Sequence, residues 1–307
     1  MPLHPQCAAF LDQLTAAGGS PLHELTPLEA RARAMPPDLG GPEQPVHQVE
    51  DQRVPGDGGL IPVRVYRPSA TPSLPALIYF HGGGFVLGGL DMSDRTCRAL
   101  ANGSGCVVIS VDYRLAPEHP FPAAADDAFA AAAFVAGRAA AFGVDPARIA
   151  VGGESSGGNL ATVVALRARD SGGPALAFQL LVYPLVDFTD ESPSMREFAS
   201  GHFLTTEDMD YFADHYLPRP IDRRQAWASP LHANLAGLPP AFVLTAECDP
   251  LRDQGELFAQ RLQQAGVPTV VKRYDGMFHP FFSLGGIIDG AKTAMADAAA
   301  ALRTALH

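Results

Sequence analysis

The spacing of apolar positions changes character along the chain. Over residues 1–45, Phe10, Leu11 and Leu14, and then Leu22, Leu25 and Leu28, recur at helical spacing and are interrupted by Pro-Pro and Gly-Gly-Pro. This predicts a small helical segment ahead of the main domain, which spans 46–307. Further on the period falls to two: Ile61, Val63 and Val65 alternate with Pro62, Arg64 and Tyr66, and the preceding Pro-Gly-Asp-Gly-Gly run suits a hairpin turn. An antiparallel strand pair is therefore expected to open the main domain.

Six short runs rich in Val, Ile, Leu and aromatics follow, at 76–80, 106–113, 148–152, 178–183, 241–246 and 269–274. Continuous apolar runs of this length are read as strands buried on both faces. Ala-rich helical stretches separate most of them, and the one beginning at Ala123 runs out at Gly143, placed as a helix C-cap. Alternating strands and helices predict a mostly parallel sheet with helices on both faces. The segment between the fourth and fifth runs, about 188–225 at its centre, is too long and too polar for a simple crossover and predicts a surface or lid element.

Composition narrows the function classes. The 307 residues carry a net charge of −11, which offers no basic field for nucleic acid or an anionic membrane. No stretch approaches the ~18 uninterrupted apolar residues of a membrane span, and the N-terminus lacks a basic flank before its apolar part, so a cytoplasmic protein without stable membrane insertion is expected. Cys7, Cys97, Cys106 and Cys248 show no metal-binding spacing and are read as reduced, mostly buried thiols.

In a parallel sheet, chemistry collects where strands exit. The 148–152 run leads into Gly153-Glu154-Ser155-Ser156-Gly157, a G-x-S-x-G pattern in which small flanking residues permit a strained turn that lifts Ser155 into a cleft. Alone, the pentapeptide also describes an ordinary Gly/Ser turn. A phosphate cradle fails on spacing, because neither G-x-x-x-x-G-K-[ST] nor G-x-G-x-x-G occurs here. A serine nucleophile needs a base, an orienting carboxylate and oxyanion donors. Gly82, Gly83 and Gly84, after the 76–80 run, let bare backbone N–H groups converge with that of Ser156. A plain glycine turn is the competing reading. His81 reads as a buried strut for this loop.

Nucleophile–acid–base order leaves only His279 and the terminal His307 beyond the fifth run, so His279 is the candidate base. Glu247, Asp249 and Asp253 compete for the acid. Asp249 sits at the strand exit ahead of Pro250 and is taken as the orienting acid. Asp253 reads as the N-cap of the next helix, and Glu247 as a loop support that retains a claim to the acid's role.

The motifs HGGGFVLG, DYRLAPEHPFPAA, GESSGGNLA, LPPAFVLTAECDPLRDQGE and GMFHPF, in this order from about residue 60 to 285, resemble the hormone-sensitive lipase-like (bacterial family IV) esterases of the α/β-hydrolase superfamily. The resemblance implies an α/β-hydrolase fold: a mostly parallel eight-stranded sheet flanked by helices, with a helical cap built from residues 1–45 and about 188–225. It implies a Ser155, Asp249 and His279 triad, with an oxyanion hole of Gly83, Gly84 and the Ser156 amide; from their positions, His81, Gly82, Glu154 and Glu247 are read as supporting residues. It also implies hydrolysis of short- to medium-chain esters with no metal or cofactor, and no catalytic role for Glu118 or His119. Phe10, Leu14, Phe203 and Tyr211 are candidates for pocket walls or for plain core. Asp-Ser-Ala is commoner in that family where this chain has Glu154-Ser155-Ser156. An amidase, a long-chain lipase and a ligand-binding protein that kept the fold are the competing readings; a homodimer is left open.

Overall fold

The computed structural model describes residues 2–33 and 37–307; Met1 and residues 34–36 of the expected cap segment lie outside the described residues. Its strands are β1 (Gln48–Gly56), β2 (Gly59–Arg67), β3 (Leu74–Phe80), β4 (Val107–Val111), β5 (Val144–Glu154), β6 (Phe178–Val182), β7 (Ala241–Cys248) and β8 (Thr269–Phe278). The helices are α1 (Pro5–Ala17), α2 (Pro27–Ala32), α3 (Asp94–Ser104), α4 (Ala123–Gly137), α5 (Ser156–Ser171), α6 (Pro193–Glu197), α7 (Thr206–Tyr216), α8 (Arg252–Gln264) and α9 (Asp289–Leu306). All eight strands form one sheet in the order β1-β2-β4-β3-β5-β6-β7-β8. The β1–β2 hairpin turns between Gly56 and Gly59, β2 pairs antiparallel with β4, and every pairing from β4 to β8 is parallel.

The continuous apolar runs are explained by burial on both sides. In β3, Ala76, Ile78 and Phe80 pack into a core shared with α4, α5 and α8, whereas Leu77 and Tyr79 face a second core shared with α1, α3 and α9. Each such aliphatic or aromatic side chain contributes about 1.5–3 kcal/mol of burial free energy, so the central strands anchor the fold. β8 departs from the expectation: it is an edge strand, and Val270 and Val271 are exposed. A Val-rich run looks the same in sequence whether or not a neighbour covers it. The Ala123 helix also differs: α4 stops at Gly137, a 3₁₀ turn spans Ala139–Phe142, and Gly143, at φ +60°, caps that turn.

The N-terminal segment divides its contacts. α1 lies on the end of β8: the His4 amide donates to the Gly276 carbonyl at 2.9 Å, and Phe10 is buried 6.0 Å from the Phe278 ring. Phe10 is thus a core residue, whereas Leu14 is exposed. α2, closed by a Thr26–Glu29 capping box, sends Arg31 to the carbonyls of Val86 (2.8 Å) and Ala116 (2.7 Å) and into a two-pronged pair with Glu118. Glu118 is thereby a structural partner. The 3₁₀ turn before α2 meets α7, where His23 Nδ1 is 3.0 Å from Asp208.

One expectation at α8 is corrected. The helix begins at Arg252 with Leu251 at the N-cap position, so Asp253 is not the cap. The capping interaction comes from another segment instead: Ser194 Oγ of α6 accepts the Asp253 N–H at 3.2 Å, and the Asp253 carboxylate accepts the Ser194 N–H at 2.9 Å. At the next position, buried Gln254 accepts the N–H groups of Val186 (2.7 Å) and Asp187 (2.9 Å), fixing the point where the 188–225 segment leaves β6. Gln254→Ala strands two buried donors and is expected to lower stability by about 2–4 kcal/mol, measured by urea unfolding.

Candidate active site

The turn between β5 and α5 carries Ser155, and the exits of β3, β7 and β8 carry the Gly82–Gly84 loop, Asp249 and His279. Between β5 and α5, Ser155 adopts φ +56° and ψ −121°, a conformation that L residues avoid unless their surroundings impose it. Its own backbone is held on both sides, with its N–H donating to the Val182 carbonyl (2.9 Å) and its carbonyl accepting from Asn159 (3.1 Å) and Leu185 (3.2 Å). The glycines make room for this turn. A β-carbon at either Gly153 or Gly157 would collide with the Phe80 carbonyl oxygen of β3. Ser156 opens α5, so its backbone N–H is a free helix N-terminal donor.

The His81–Phe85 loop lies against this turn. A β-carbon at Gly82 would stand 3.1 Å from Glu154 Cγ and 3.5 Å from Ser155 Cβ. Gly83 and Gly84 have φ of +114° and +60°, which glycine adopts without strain, and the Phe212 ring of α7 lies directly over Gly84. His81 braces the loop. Its Nδ1 donates to the Gly82 carbonyl at 2.7 Å, its ring stacks on Tyr113 at 4.2 Å, and the Tyr113 hydroxyl donates to the His81 carbonyl at 2.8 Å. Burial pushes the imidazole down to about 4, so the ring is neutral near pH 7.

At the next strand exits, Asp249 and His279 meet. His279 Nδ1 donates to Asp249 Oδ2 at 2.9 Å, and Asp249 Oδ1 accepts the Leu251 N–H at 2.9 Å. Asp249 is fully buried and His279 nearly so. With Nδ1 turned to Asp249, the other ring nitrogen, Nε2, is left outside that contact. Glu247 is not in this contact; its carboxylate accepts the Gly276 N–H at 2.7 Å and ties the end of β8 to β7. Glu154 is buried beneath the turn, where its Oε2 accepts the Tyr183 hydroxyl at 2.8 Å.

With a strained serine after β5, a glycine loop beside it and an Asp–His pair after β7 and β8, the chain finds its counterparts among known hydrolases. The family described as alpha/beta hydrolase fold matches residues 77–283. The chain belongs to the α/β-hydrolase family, in its hormone-sensitive lipase-like branch. It is 43% identical over 300 residues to carboxylesterase NlhH of Mycobacterium tuberculosis, covering 95% of this chain and 92% of that protein. It is 40% identical over 306 residues to an ethyl acetate hydrolase of Pseudomonas putida, covering 95% of each. Among solved structures, the hyperthermophilic esterase of the archaeon Pyrobaculum calidifontis superposes with a TM-score of 0.94 at 42% identity, over 99% of both chains.

Within this family site, three groups went unread in the sequence: Arg31 and Tyr113, which steady the glycine loop, and Tyr183, which meets Glu154. Tyr183 sat at the end of the 178–183 run as one more apolar residue. Phe203 is partly exposed and packs 6.0 Å from Phe278, while Tyr211 packs edge-on to Phe212 and His215. Burial raises all four thiols, with Cys97 pushed up to about 12, so none is a nucleophile at neutral pH. Among the described residues, no group of three or more His, Cys, Asp or Glu side chains is arranged to hold a metal ion, and no helix is long and apolar enough to cross a membrane.

Two outcomes follow from this packing. Gly157→Ala drives a β-carbon into fixed backbone and is expected to cost about 3 kcal/mol, whereas Ser156→Ala, which removes a buried hydroxyl without a hydrogen-bond partner among the described residues, should leave the melting temperature nearly unchanged. For His81, the unfolded ring takes up a proton near 6.5 and the folded ring only near 4, so stability falls as pH drops through that window. Denaturant midpoints measured from neutral pH down to about 4.5 should decline less in His81→Asn, whose amide N–H can serve the same carbonyl.

Proposed function

We propose that the protein is a carboxylesterase that cleaves short- to medium-chain acyl esters through Ser155, His279 and Asp249. His279 Nε2 takes the Ser155 hydroxyl proton as Oγ attacks the acyl carbon, and the carbonyl oxygen, now an oxyanion, accepts N–H bonds from Gly83, Gly84 and Ser156. The imidazolium returns the proton to the departing alkoxide, which leaves as the alcohol. Water then attacks the acyl-enzyme by the same route, giving the acid and free Ser155. Asp249 keeps the imidazole in the tautomer that accepts at Nε2 and stabilises its charged form.

The observation that carries this reading is the 2.9 Å bond from His279 Nδ1 to buried Asp249, at the exits of β7 and β8 in the sheet whose β5 leads into the positive-φ Ser155. The relatives named as carboxylesterase and ethyl acetate hydrolase support ester hydrolysis as the reaction. Residues 1–45 and about 188–225 act in this reading as a cap; the His23–Asp208 contact and the Phe212 ring over Gly84 support that role. Phe212, whose ring covers Gly84, supplies an aromatic wall that limits acyl length.

The test is hydrolysis of p-nitrophenyl esters of graded acyl length. Activity should be highest for short acyl groups and fall steeply for long ones, and Phe212→Ala should move the optimum toward longer chains. Ser155→Ala should lower kcat/KM by about 10³-fold or more, and Asp249→Asn by a comparable factor in kcat. Full activity in Ser155→Ala would sink the mechanism.

A further inference from the structure

Glu154 ends β5, next to the nucleophile, and is 5% exposed. It forms no ion pair with Lys or Arg among the described residues. The titratable groups around it are Tyr79 on β3, Tyr183 after β6, His279 after β8, Cys97 on α3 and Tyr113 after β4, and the Gly82 backbone of the loop that carries neutral His81 packs against it as well. Only one of these, His279, becomes positively charged. Burial raises the Glu154 carboxyl, and the Tyr183 hydrogen bond, the nearby imidazole and Tyr79 oppose that rise. A buried carboxylate without a permanent cation costs stability, so the fold gains nothing from Glu154 that a neutral residue of the same shape would not give.

The geometry ties this carboxyl to the base. Tyr183 holds Glu154 Oε2 through its hydroxyl at 2.8 Å, and its ring centroid lies 4.4 Å from that of His279 at an interplanar angle of 53°. Tyr183 has φ +32°, uncommon for a bulky residue, and its N–H is fixed to the Leu244 carbonyl at 2.6 Å. The phenol therefore stands between carboxyl and imidazole in a backbone conformation its surroundings impose. Asp249 meets the imidazole at its Nδ1 edge, while Tyr183 meets it ring to ring.

We propose that Glu154 is a positioning residue for the ester hydrolysis inferred above, on which this proposal rests: its carboxylate, held by Tyr183, is a second counter-charge that stabilises the His279 imidazolium while the tetrahedral intermediate exists. The imidazolium forms when Ser155 gives up its proton and disappears when the alkoxide receives it, so a fixed negative charge nearby favours the transition state over the resting enzyme.

The test compares Glu154→Gln, Glu154→Asp and Tyr183→Phe by thermal melting, by the split between kcat and KM, and by the acid limb of kcat/KM against pH. Glu154→Gln should melt at or above the parent temperature, yet lose about tenfold in kcat with KM within about twofold. Its acid limb should move down by about 0.5 pH unit, because the imidazolium loses a nearby negative charge. Glu154→Asp, which keeps the charge, should leave the limb in place; Tyr183→Phe should shift it down by a smaller amount. An unmoved acid limb and near-parental kcat in Glu154→Gln would make Glu154 a packing residue and overturn the proposal. If Glu154→Gln does not fold, the Tyr183→Phe limb decides the matter in the same way. Activity retained by Ser155→Ala would instead defeat the underlying reading, so the two failures are distinguishable.

Discussion

The close approach of β3 to the turn after β5 is the constraint on which the site depends. Phe80's carbonyl oxygen occupies the space that side chains at positions 153 and 157 would need, so both must be glycine for the turn to close. Closure holds Ser155 at positive φ, sets α5 running from Ser156, and brings Gly82 alongside Ser155 and Glu154. Backbone strain at one residue is maintained by a sheet whose central strands are buried on both faces. Stability made in the core is thus used at the elbow, where a relaxed turn would direct the hydroxyl elsewhere.

Around that turn, buried polar groups are organised by short hydrogen bonds. His81 is held neutral and spans its own loop, Glu247 fixes the end of β8, and Asp249 divides its two oxygens between a backbone amide and His279. Each bond immobilises a group that water would otherwise leave free to turn. The same exclusion of water strengthens any charge that forms at the imidazole or at the substrate oxygen. Arg31 extends this bracing outward, linking the N-terminal segment to both the Val86 and Ala116 carbonyls.

Much of this was legible in the sequence, for physical reasons. Continuous apolar runs reveal strands buried on both faces, and chain order left His279 as nearly the sole candidate to meet Asp249, which it does. What escaped depends on contacts between distant segments. Asp253 has the composition of a cap, but Ser194, 59 positions away, makes the capping bond. Val270 and Val271 read as core because sequence does not reveal that β8 lacks an outer neighbour. Tyr183 escaped because its significance lies in a positive φ and in two partners from other strands. Glu154 could be flagged as unusual beside the nucleophile, but its environment appears only when β3, β6 and β8 are assembled around it.

In the proposed mechanism the turn aims Ser155 at a carbon whose oxygen lies among the amides of Gly83, Gly84 and Ser156. A crystal structure of the protein after reaction with a short alkylphosphonate ester tests it most directly. The expected adduct has phosphorus bonded to Ser155 Oγ, with the phosphonyl oxygen within about 3 Å of those three nitrogens and His279 Nε2 facing the remaining ester oxygen. A phosphonate attached to another residue, or one on Ser155 with its phosphonyl oxygen directed away from the glycine loop, would contradict it.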